Sequence, residues 1–128
     1  MSLRTPLSRV LGLGAAKEGV EHWWMQRVSA AALVLLTLWF IVSLLSLGAL
    51  SYEVVHAWIS RPVNSALLVL LVIAVMYHSQ LGVQVVIEDY VPHKPTKVVS
   101  LIANQFVHFA LGAIAIFAVL RAAFGSVA

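Results

Sequence analysis

The chain has 128 residues, is 62% apolar and 10% charged, and has a mean hydropathy of +0.98. Soluble domains run at roughly 45–50% apolar and 25% charged, so a water-soluble enzyme, a disordered tail and a nucleic-acid binder are excluded as first readings. The net charge of +3 does not restore the last of these, because the cations sit at the edges of apolar runs and report topology instead.

In chain order, the first element is a basic amino-terminal segment, residues 1–27. Met1 to Lys17 carries Arg4, Arg9, Ser2 and Ser8 and no acid, a composition shared with short organelle transit peptides. The preferred reading is a cytoplasmic segment lying along the membrane. It is not a secretory signal, because the apolar run after it is too long and begins too late. Three uncharged runs follow. The first goes from Val28 to Tyr52, between Arg27 and Glu53. The second goes from Pro62 to Ile87, between Arg61 and Glu88, and crosses as residues 63–87. The third goes from Val98 to Leu120, between Lys97 and Arg121. Each exceeds the roughly 20 residues that a bilayer-crossing helix needs. Spanning helices also satisfy their own backbone groups, as lipid demands. The predicted fold is an all-α membrane protein of three transmembrane helices, with 1–128 as one domain. Internal repeats and low-complexity linkers are absent from the sequence, and Pro92 and Pro95 stiffen the short second loop.

Charge sets the direction. Arg4, Arg9, Lys17, Arg27, Lys94 and Lys97 fall on one side, and Arg61 and Arg121 on the other. The amino terminus is therefore predicted to face the cytoplasm and the carboxyl terminus the opposite, periplasmic side. Trp23, Trp24 and Tyr90 then sit at the inner interface, and Tyr52 and Trp58 at the outer one. The chain has no cysteine, so it offers no disulfide framework, thiolate metal site or cysteine nucleophile.

Ionisable residues inside lipid are functional hypotheses by default. His78 lies ten residues from Glu88, and His108 eleven from Lys97. At about 1.5 Å per residue both are roughly 15 Å from the inner boundary. A neutral imidazole at that depth needs haem iron, a hydrogen bond between helices, or a proton relay. Gly82 follows His78 by four residues and would let a flat porphyrin approach the backbone. His108 has Gly112 at the same offset, so the local pattern does not separate the two. A second cluster forms an inner collar: Glu88, Asp89 and Tyr90 from the end of span two, with His22, Gln26, Arg27 and Ser29 from the start of span one. A phenol can donate to a carbonyl oxygen, and arginine can pair with carboxylates. An ordinary interface belt accounts for the same residues. Asn64, Gln80, Gln84, Asn104 and Gln105 are expected to join helices. Trp39, Phe40, Phe106, Phe109 and Phe117 are expected to meet lipid or core.

The stretch His78-Ser-Gln-Leu-Gly82-Val-Gln-Val-Val-Ile-Glu88-Asp89-Tyr90-Val91 resembles the second-helix signature of the hydrophobic membrane-anchor subunit of succinate dehydrogenase, the subunit usually called D. That signature is a histidine, a glycine four residues on, and Asp-Tyr at eleven and twelve residues. Length, span count and the Trp-rich approach to Gln26-Arg27-Val28-Ser29 agree with it. The resemblance implies an anchor that packs with a second three-helix subunit in a bacterial inner membrane. The two would bind one b-type haem and hold a flavoprotein, which carries FAD, and an iron–sulfur protein to the inner face. It implies His78 as one axial haem ligand and Arg27 near the propionates, with His22 a weaker match there. It implies Tyr90 as the hydrogen-bond donor to ubiquinone, supported by Asp89. His108 has no counterpart in the signature and becomes a packing or hydrogen-bonding residue. The chain alone would catalyse nothing. Two other readings stay open at this point: the anchor of a quinol:fumarate reductase, and a non-redox membrane protein, either a small transporter in which His78 and His108 relay protons or a structural anchor that binds no haem.

Overall fold

The computed structural model describes residues 19–125. The basic segment of residues 1–18, with its transit-peptide and membrane-surface readings, lies outside the described residues. Among the described residues the fold is entirely helical: α1 (Gly19–Leu45), α2 (Tyr52–Ile59), α3 (Pro62–Tyr90) and α4 (Lys94–Phe124). α1, α3 and α4 are long and apolar enough to cross a membrane. α2 is short by comparison, at eight residues.

The helix ends differ from the ends of the apolar runs. α1 begins well before Val28 and takes His22, Gln26 and Arg27 into its first turns. It stops at Leu45, although the apolar run continues to Tyr52. There Ser46 turns its hydroxyl back onto the Ser43 carbonyl at 2.7 Å, and the Leu47 amide tightens onto Leu44. Gly48 follows in open space. Short polar side chains that bond their own backbone, followed by glycine, release a helix whatever the hydropathy around them. α2 starts after Ser51. The Glu53 carboxyl is held below its ordinary range by its own backbone amide and by the Ser51 hydroxyl. Proline opens both later spans, where its missing N–H costs nothing: Pro62 heads α3 and Pro95 lies in the first turn of α4.

α3 is the middle helix. α1 packs on one side of it and α4 on the other, while α1 and α4 do not pack on each other. α2 closes the end of the bundle away from Tyr90, against α3 and α4. Its Trp58 is buried, stacks on Trp39 with ring centres 5.7 Å apart, and meets Phe40 at 6.3 Å. Asn64 Nδ2 donates to the Trp58 carbonyl at 2.8 Å and ties α3 to α2. Trp39 and Phe40 are thus core residues of that end. Among the described residues no large side chain is fully buried, and most of the large apolar ones face outward. That is the expected surface of helices whose solvent is hydrocarbon.

Candidate functional site: the groove between the first and middle helices

α1 and α3 run antiparallel in a fixed register. Ser29 Oγ of α1 lies 3.0 Å from Nδ1 of His78, and Gln26 sits beside Gly82. Three residues back along α1 thus match four residues on along α3. Ser29 is one of the few well-buried polar residues, at 7% exposure, and its hydroxyl also donates to the Gln26 carbonyl at 3.1 Å. His78 is half-buried, and its Nε2 has no hydrogen-bond partner among the described residues.

From His78 towards the Gly19 end of α1 the two helices part around a cavity of about 550 Å³. His22, Gln26 and Arg27 line it from α1, and Gly82 and Glu88 from α3. A Cβ placed on Gly82 would meet only Gln26 Nε2, at 3.7 Å, so the glycine leaves space that the chain itself does not fill. Two polar atoms here are buried without partners, His22 Nε2 and Gln26 Oε1. Buried polar atoms without partners are uncommon and call for an explanation such as a ligand or water. Arg27 is exposed at the groove, with its guanidinium 5.4 Å from the centre of the Trp23 ring in a cation–π contact.

Asp89 and Tyr90 end α3. Both are exposed, Tyr90 to 80%. Lys97 Nζ donates to the Glu88 carbonyl at this end, where unmet carbonyls attract cations. Gln84 Nε2 donates to the Glu88 carboxylate at 2.8 Å. At about 1.5 Å per residue, Tyr90 lies roughly 18 Å along α3 from His78, whereas Arg27 lies only about 3 Å from the level of Ser29. The predicted collar is met in part: His22, Gln26, Arg27 and Glu88 line one cavity, Ser29 stands deeper on His78, and Asp89 and Tyr90 stand at the helix end. Around the α3 axis, Asp89 shares the stripe of His78 and Gly82, and Tyr90 is about a third of a turn away.

His108 is different. Its Nδ1 donates to the Asn104 carbonyl at 2.9 Å, and its Nε2 accepts from the Ser79 hydroxyl at 3.1 Å. Both ring nitrogens are used. Gly112 packs directly on Met76, where an added Cβ would stand 3.4 Å from Cγ. This histidine and glycine join α4 to α3. Asn104, 8% exposed, does the same by donating to the Gln80 carbonyl at 3.0 Å. The two His-x3-Gly patterns, alike in sequence, thus separate by environment.

What the sequence reading missed is the pairing of Ser29 with His78 and the unmet state of Gln26. Both depend on helix register, which no local spacing reports.

A family model described as succinate dehydrogenase/fumarate reductase transmembrane subunit matches residues 1–120. A relative from Paracoccus denitrificans is 33% identical over 123 residues, covering 96% of this chain and 95% of its own. One from Rickettsia bellii is 34% identical over 88 residues, covering 69% and 70%. One from Rickettsia conorii is 33% identical over 95 residues, covering 73% and 75%. All three are named succinate dehydrogenase hydrophobic membrane anchor subunit. With three spanning helices and a match along nearly its whole length, this chain belongs to the succinate dehydrogenase/fumarate reductase transmembrane-subunit family, as a hydrophobic membrane anchor of the bacterial inner membrane.

Proposed function

We propose that this succinate dehydrogenase anchor helps bind a b-type haem and carries quinone-binding groups at its inner end. The reading rests on one observation: His78 keeps a ring nitrogen without a partner one turn from the groove that Gly82 lines, whereas His108 has both nitrogens engaged. A bound haem would supply a one-electron redox centre. His78 would hold it through Nε2. Gly82 leaves the backbone open for a flat apolar ring. His22 Nε2 and the Arg27 guanidinium offer donors of the kind that carboxylate side arms accept. The second axial ligand would come from a partner anchor subunit of three spans.

Ubiquinone is an apolar tail with a polar head, so its head belongs at a membrane edge. Tyr90 stands at such an edge with its phenol uncommitted among the described residues. It would donate to a quinone carbonyl. Reduction to the quinol takes up two electrons and two protons, and Asp89 is the neighbouring carboxyl with access to water. The electrons would come from succinate through the FAD-bearing flavoprotein and the iron–sulfur protein, docked where the amino terminus and the second loop face the cytoplasm. Succinate oxidation is preferred over fumarate reduction because the relatives named above are succinate dehydrogenase subunits. A proton relay from His78 to His108 has little support, since the two share no hydrogen bond and no common partner among the described residues.

The test is the reduced-minus-oxidised absorption spectrum of the intact purified complex. His78→Leu is expected to remove or shift the b-type bands. A spectrum identical to that of the unaltered complex would show that iron is held elsewhere.

A further inference from the structure

We infer that Ser29 is the positioning residue for His78: it fixes which imidazole nitrogen carries the proton and in which plane the ring stands. The inference rests on the haem-ligand reading above and deepens it.

A serine hydroxyl has one proton and spare lone pairs. Ser29 lies 3.1 Å from the Gln26 carbonyl, which can only accept, so its proton is spent there. Towards His78 Nδ1, 3.0 Å away, the oxygen is left to accept. Nδ1 therefore carries the hydrogen, and Nε2 carries a bare lone pair. That is the tautomer a metal ligand on Nε2 requires. The reverse arrangement, with the hydroxyl donating to Nδ1, would leave the Gln26 contact without a proton and put a hydrogen on Nε2. The site is dry enough for this choice to persist. Ser29 is 7% exposed, and the contact lies between two packed helices.

The pairing also has an electronic sign. An imidazole that donates through its second nitrogen becomes a more basic ligand. A more basic ligand favours ferric over ferrous iron. Ser29 thus lowers the potential at which the haem accepts an electron, and its two hydrogen bonds restrain the ring about its own axis. None of this is visible in the His78 to Tyr90 stretch, because Ser29 comes from the other helix.

The test compares Ser29→Ala with Ser29→Thr in the assembled complex. Three readouts are needed: haem content per flavin, the haem midpoint potential, and the g values of the ferric haem. The g values respond to the angle between axial imidazole planes. With haem retained, Ser29→Ala is expected to raise the potential by the equivalent of about a tenfold change in the ferrous-to-ferric ratio, the lower end of effects from groups behind a metal ligand. The g values should move with it. Ser29→Thr keeps the hydroxyl and should match the unaltered complex. If Ser29→Ala loses haem or fails to assemble, Ser29→Cys, close in size but a poor acceptor, replaces it in the comparison. Haem retained with potential and g values unchanged in the alanine or cysteine variant overturns the inference while leaving His78 as ligand. An unchanged b-type spectrum in His78→Leu instead overturns the ligand reading, and this inference with it.

Discussion

His78 and His108 sit on one scaffold, four residues ahead of a glycine each, and differ in what the second ring nitrogen meets. For His108 it is the Ser79 hydroxyl, and for His78 nothing among the described residues. The same contrast separates Tyr90 from Asn64 and Gln84 of α3. Asn64 and Gln84 are engaged within the chain, whereas the Tyr90 phenol is exposed. Tyr90→Phe removes one donor and little volume. Quinone reduction by the complex should fall by about tenfold, the value of one net hydrogen bond. Succinate oxidation with an artificial acceptor, which does not use the membrane edge, should stay. Equal loss of both rates would mean that the phenol serves assembly. His78, Gly82, Asp89 and Tyr90 were legible in the sequence because they lie on one helix at readable spacing. The link from Ser29 to His78 was not, since it is set by how two helices register.

At the scale of the helix, the two glycines have opposite surroundings. Gly112 is pressed against Met76, and Gly82 faces the groove with only Gln26 near. Gly112→Val should overpack the α3–α4 contact, costing about 1–3 kcal/mol. It should lower the thermal midpoint of the solubilised complex with haem content per flavin kept in what remains folded. Gly82→Val should do the reverse, reducing haem content with a smaller change in thermal midpoint. Identical behaviour of the two variants would remove the distinction. The number of spans was plain from hydropathy, because it measures what lipid will tolerate. The helix limits were not, because hydropathy does not register backbone geometry. Ser46 and Gly48 end α1 inside an apolar run, and α1 carries His22 and Arg27 past the run's start. α2 escaped notice for the same reason, and with it the burial of its Trp58 against Trp39.

For the whole molecule, the loop cations predict a direction across the membrane, and the absence of cysteine makes it directly measurable. Gly48→Cys, at a position with nothing within 4 Å, should react in intact cells with a membrane-impermeant thiol reagent. His93→Cys, in the short turn between α3 and α4, should react only in inverted vesicles. The opposite pattern would reverse the orientation and move Tyr90 to the outer face. Hydropathy made the three spans legible, but not that α3 alone bridges the other two. That arrangement has a consequence for biosynthesis. As the chain leaves the ribosome, α1 enters lipid first and has no neighbour until α3 has followed it. Ser29 can meanwhile satisfy itself on the Gln26 carbonyl one turn away and Arg27 can rest on the Trp23 ring, whereas His22 Nε2 and Gln26 Oε1 find no partner within α1. Of the three spans, the first to be inserted is thus the one whose polar groups wait longest for company, and it depends most on whatever shelters it in the interval.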